Sequence, residues 1–176
     1  EGYKEFLNEA KTEREFVTAA VKRLEKAGFV PYERTGLKTG DRVYEVNRGK
    51  ALIFATAGRR PLEEGIRLNA AHIDSPRLDL KPNPLYEKNG LAYFKTHYYG
   101  GLRKYQWTAI PMAMHGVVVK KDGETVTISV GEKEGEPVFC VTDLLPHLAA
   151  QQNERKLRDG IRGEELNIVV GSLPYD

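Results

Sequence analysis

The residues best placed to do chemistry are His72 and Asp74, in the run Leu68-Asn69-Ala70-Ala71-His72-Ile73-Asp74-Ser75-Pro76. The apolar residues before His72 read as a strand, and Pro76 turns the chain soon after. Ligand sites in open α/β sheets gather at the carboxyl ends of strands. An imidazole there can bind a metal, and a nearby carboxylate can orient the ring and raise its basicity. The same spacing admits a plainer reading, a structural histidine with Asp74 opening an Asp-Ser-Pro turn. A zinc site needs about three or four ligands, and this pattern supplies one.

The other candidates are weaker. The chain has four histidines. His97, beside two tyrosines, reads as a hydrogen-bonding loop residue, and His115, before Gly116 at the entry to a strand, reads as structural. His147 by its spacing alone is a polar residue on a predicted helix. Cys140, the only cysteine, sits in an apolar run and reads as a buried inert thiol. It rules out an intrachain disulfide and favours a reducing, cytoplasmic setting. Gly100-Gly101 is too short for a phosphate loop, and no Gly-x-Gly-x-x-Gly or Walker-type lysine pattern occurs, so nucleotide binding has no support. No Gly-x-Ser-x-Gly elbow surrounds Ser75, which disfavours a serine hydrolase. The aromatics between Tyr98 and Trp107, with Arg103 and Lys104, could stack bases. A net charge of only +2, from 27 basic and 25 acidic residues, argues for a core or interface role instead. Neither nucleic acid nor an anionic membrane is expected as a partner. No apolar stretch approaches the ~20 residues that span a bilayer.

These side chains need elements to position them. With 176 residues, the chain is long enough for one domain or two small ones. Residues 12–27 read as a helix: Thr12-x-x-Glu15 is a capping box, Phe16, Val17, Ala20, Val21 and Leu24 recur at helical spacing, and Gly28 is a stop. Strands are predicted at 42–46, 51–57 and 66–71, with turns at Gly49 and 58–61. The second is apolar almost throughout, as for a strand covered on both faces. Residues 75–89, broken by Pro76, Pro82 and Pro84, read as mostly loop or edge, and 91–96 as a strand. Residues 116–120 and 125–130 form a hairpin with Asp122-Gly123 at its turn. Thr142 or Asp143 caps a predicted helix through Leu144, Leu145, Leu148 and Ala149, and 166–170 is a further strand. The fold class is α/β, with a soft boundary near 107–111 and a β-rich region beyond it that contains one helix. The sequence stops directly after a strand, and no later alternation of strands and helices closes a sheet, so it reads as part of a longer architecture.

Ala71-His72-Ile73-Asp74-Ser75-Pro76, followed by Leu78-x-Leu80-Lys81-Pro82, resembles the first metal-ligand motif of the aspartyl aminopeptidase family of two-zinc metallopeptidases. Tyr99-Gly100-Gly101-Leu102, the tryptophan six residues past Gly101, and the ensuing hairpin resemble that family as well. Lys11-Thr12-Glu13-Arg14-Glu15 looks like its bacterial and archaeal branch. One departure stands out: many members carry Phe-Asp-Arg-Asp-Leu where this chain has Thr108-Ala109-Ile110-Pro111-Met112.

The resemblance covers the whole chain and implies an N-terminal portion of such an enzyme. Residues 1–107 would be part of an α/β/α peptidase domain and 108–176 an incomplete β-rich dimerisation domain. His72 would ligate one of two zinc ions and Asp74 would orient it. His147 would reach from the dimerisation domain into a neighbouring subunit's active site. The remaining zinc ligands and the catalytic glutamate would lie beyond Asp176. Peptides with an N-terminal residue, acidic in many family members, would be the substrates, and dimers would assemble into a tetrahedral particle. The rival expectation is a non-catalytic assembly module that keeps the scaffold and the dimerisation surface without the chemistry.

Overall fold

The Thr12-x-x-Glu15 signal forms as the sequence suggests. In the computed structural model, which describes residues 2–173, Thr12 caps helix α2 (Glu13–Lys26) and α1 (Gly2–Glu9) precedes it. The Thr12 hydroxyl accepts the Glu15 amide at 3.3 Å, and the Glu15 carboxylate accepts the Thr12 amide at 2.9 Å. Two donors that the first helical turn would leave unpaired are thereby satisfied. The sequence shows no clear sign of α1. It is fixed by tertiary contact: Phe6 meets Phe16 edge-to-face at 5.0 Å, and Arg23 pairs with Glu9 at 2.9 Å.

Two compact units are present, Glu1–Ser75 and Pro76–Asp176. The first holds a three-stranded sheet of β1 (Val30–Pro31), β2 (Arg42–Asn47) and β3 (Ala51–Thr56), in the order β1-β2-β3. β1 runs parallel to β2, and β2 and β3 are antiparallel. Between the last two, Arg48 (φ +53°) and Gly49 (φ +67°) make the turn. α2 lies against one face of this sheet. There Tyr44 is buried and donates its hydroxyl to Glu25 at 2.8 Å, which holds the phenol above its ordinary pKa, and Arg42 donates to the Ala27 carbonyl at 2.8 Å.

Two expectations fail in this unit. β3 is apolar but not covered on both faces: Ile53 is 74% exposed. Residues 66–71 form no strand, and Leu68 is 77% exposed. Apolar runs identify strand candidates, but a strand exists only through a ladder partner, and among the described residues none pairs with this run.

The second unit has a four-stranded sheet of β4 (Arg77–Lys88), β5 (Leu91–Tyr99), β9 (Ile168–Gly171) and β8 (Cys140–Val141), in that spatial order. A separate hairpin joins β6 (Met114–Val119) to β7 (Thr125–Val130), with Gly123 (φ +87°) in its turn as expected. The stretch expected to be mostly loop or edge becomes the long edge strand β4. Its prolines fall at a register shift between Leu80 and Leu85, where an edge strand tolerates missing donors. His97 consequently sits in β5, not in a loop. The predicted helix after Thr142 shrinks to α3 (Ala150–Asn153). Pro146 disfavours helical geometry at Leu145, and Leu144, Leu145 and Leu148 are exposed, so no buried stripe supports the missing turns.

Trp107, Val141, Ile161, Leu166 and Ile168 form the buried core of this unit, with Leu78, Phe94, Tyr98, Met112 and Phe139 packed around them. The units thus part between Ser75 and Pro76, upstream of the change in sequence character at 107–111, because β5 pairs with β9 across that stretch. Among the described residues no helix is long and apolar enough to cross a membrane.

Gly100 has φ +100°, and a Cβ there would lie 2.7 Å from the Pro76 Cα. Gly100→Ala is expected to destabilise the second unit by about 2–4 kcal/mol, from strain and overlap together. Gly90→Ala, at φ +74° but in open space, should cost only about 1–2 kcal/mol. Urea unfolding of the two variants reads the difference, and equal costs would contradict the packing described.

Candidate metal-ligand site

His72 and Asp74 follow the unpaired run 66–71 in the first unit. The His72 Nδ1 lies 3.1 Å from Asp74 Oδ1 and 3.1 Å from the Asp74 carbonyl oxygen. Both facing atoms are acceptors when the carboxylate is ionised, so the arrangement selects the tautomer with the proton on Nδ1. The lone pair then sits on Nε2, which has no hydrogen-bond partner among the described residues. The His72 side chain is 83% exposed and that of Asp74 31%. A ring anchored through one nitrogen and open at the other is the geometry of a metal-ligating histidine with its orienting carboxylate.

That geometry offers a single imidazole donor. Among the described residues no group of three or more His, Cys, Asp or Glu side chains could hold a metal ion. The residues present therefore fit a single imidazole ligand and its orienter, and they do not close a coordination shell.

The remaining histidines divide as follows. His147 is exposed in the turn before α3 and has no hydrogen bond among the described residues. His115 Nε2 lies 2.8 Å from Glu132 Oε1, its side chain largely buried, as suits the structural role expected of it. His97 stacks on Tyr98 at 5.9 Å. Cys140 is half-buried in β8. His72 and His147 belong to different units.

A profile of the family described as Aminopeptidase I zinc metalloprotease (M18) matches residues 6–172. A probable M18 family aminopeptidase 1 from Clostridium acetobutylicum is 52% identical, with the match covering 98% of this chain and 38% of that protein. A crystal structure of an M18-family aminopeptidase from Thermotoga maritima superposes with a TM-score of 0.90 at 45% identity, over 98% of this chain and 38% of that one. The Saccharomyces cerevisiae mApe1 dodecamer matches at TM-score 0.67 with 20% identity, over 94% of this chain and 36% of that one, a likeness of fold alone. The chain thus spans well under half the length of the relatives it matches. A profile that runs through nearly all of the described residues, and relatives this similar, place it: the chain belongs to the M18 family of aminopeptidase I zinc metalloproteases.

Proposed function

We propose that this chain is the N-terminal portion of a zinc aminopeptidase that removes N-terminal residues, acidic ones among them, from peptides. The observation that carries this reading is the His72–Asp74 pair at 3.1 Å with Nε2 left open, in a chain of the M18 family. His72 would supply one imidazole to a centre of two zinc ions, and Asp74 would keep the ring in the tautomer that leaves Nε2 free. Zinc, when bound, supplies a water of lowered pKa and an electrophile for the peptide carbonyl. The general base and the other ligands would come from polypeptide outside these residues.

His147 would act in a neighbouring protomer, hydrogen-bonding the substrate carbonyl or the negative charge that develops on it. Its exposure suits that role, as does its setting among the exposed Leu144, Leu145 and Leu148, an apolar surface of the kind subunits cover. On this reading residues 1–107 serve the peptidase domain and 108–176 the dimerisation domain. Dimers would build a tetrahedral particle, and the fold neighbour mApe1 is itself a dodecamer. The lone Cys140 is consistent with a cytoplasmic setting.

In a family-length enzyme built on this sequence, His147→Ala should lower kcat/KM by about 100-fold with zinc content unchanged. Loss of zinc in that variant would make His147 a ligand instead, and undiminished activity would remove it from the chemistry. The 176-residue chain by itself should not cleave aminoacyl substrates. It should bind zinc with Kd of the order of a millimolar, and His72→Ala should weaken that binding further. Titration calorimetry reads it. Nanomolar binding, or peptidase activity from this chain alone, would contradict a site with one corner.

A further inference from the structure

Asp143 reads in the sequence as a helix cap, but the helix it would cap is missing and its carboxylate is used otherwise. Asp143 Oδ1 accepts the Leu144 amide at 2.8 Å and the Gln152 side-chain amide at 3.1 Å. The second bond joins positions nine residues apart and closes a loop between them.

That loop carries His147. Val141, paired in β8, is 1% exposed and Ala149 is 5% exposed, while every residue from 142 to 148 is exposed. His147 lies inside two overlapping turns: the Leu148 amide donates to the Leu145 carbonyl at 2.8 Å, and the Ala149 amide to the Pro146 carbonyl at 3.3 Å. The imidazole makes no hydrogen bond among the described residues, so the backbone beneath it sets where the ring points. An exposed segment without buried apolar contacts opens readily. A bond between its ends, together with the fixed φ of Pro146, removes part of that freedom.

We propose that Asp143 is a positioning residue for His147. Its bond to Gln152 holds the 143–152 loop in the conformation that presents the imidazole to a neighbouring protomer's substrate. This rests on the role given to His147 under Proposed function. Both bonds run to one carboxylate oxygen, so the tether needs an acceptor and not a negative charge. An asparagine amide oxygen in the same place would accept both. That separates a tether from an effect of charge on the site.

The test uses a family-length enzyme built on this sequence. Asp143→Ala should lower kcat/KM about 10-fold with zinc content unchanged, because a loosened loop holds the ring in place for less of the time. Asp143→Asn should stay within about 2-fold of the unaltered enzyme. Gln152→Ala, which removes the other end of the tether, should lower kcat/KM as Asp143→Ala does. In a His147→Ala background, Asp143→Ala should cost nothing further, since the ring it positions is gone. Three results overturn the proposal: full activity of Asp143→Ala while His147→Ala is impaired, an Asp143→Asn enzyme as impaired as Asp143→Ala, or a loss from Asp143→Ala that persists in full without His147. Full activity of His147→Ala is a separate failure, which removes the reading under Proposed function and the positioning role with it. Hydrogen exchange of the 176-residue chain examines the tether without any assay of activity. The Leu148 and Ala149 amides should exchange about 10-fold faster in Asp143→Ala than in Asp143→Asn, and equal rates would also overturn the proposal.

Discussion

In the sheet of the first unit α2 lies on the face of Tyr44, while the other face, with Val43, Ile53 and Ala55 beside Glu45 and Asn47, leaves Ile53 mostly exposed. The rest of the structure follows from that one-sided packing. Burying apolar surface is the main favourable term in folding. In this unit the buried apolar residues are few and mostly small, chiefly Ala10, Val17, Ala19 and Tyr44. The second unit closes a core around Leu166 and Val141, both essentially inaccessible, and buries Trp107 beside them. Thr96, buried with them, donates its hydroxyl to the Leu166 carbonyl and so leaves no polar atom unsatisfied.

The same incompleteness decides what the site can do. His72 follows an apolar run that has no ladder, so the residue with the most direct claim to chemistry stands on the least supported segment. Its orientation comes from Asp74, two residues on, and needs no other part of the fold. Closure of the coordination shell does need other segments. On the proposed reading His72 would be one corner of a metal centre whose other ligands lie on other polypeptide segments.

What was legible in the sequence was local. The Thr12–Glu15 capping box, the turn at Gly49 and the hairpin through Asp122-Gly123 all depend on residues a few positions apart, whereas the His72–Asp74 spacing left open whether the two side chains meet. Sequence and structure part where a distant partner decides the outcome. Residues 66–71 have the composition of a strand, yet pairing is a property of two segments. β3 reads as doubly covered because composition cannot show which layers are present. The helix expected after Thr142 lost its first turns to Pro146 and to leucines with nothing to pack against. α1 has little signal in the sequence because Phe6 and Glu9 gain their meaning only from Phe16 and Arg23. His147 has no signal in its spacing, and its proposed role comes from family resemblance alone.

The central claim is that the sheet of the first unit is packed on one face only while the second unit has a closed core. Hydrogen exchange of the isolated 176-residue chain tests it most directly, because protection reports local opening. The account predicts that the Ile53 and Ala55 amides, which pair with β2, exchange at least about 100-fold faster than those of Ile168 and Val169 between β5 and β8. Uniform protection across both units would show that the first sheet is stable without a further layer, and would contradict the account.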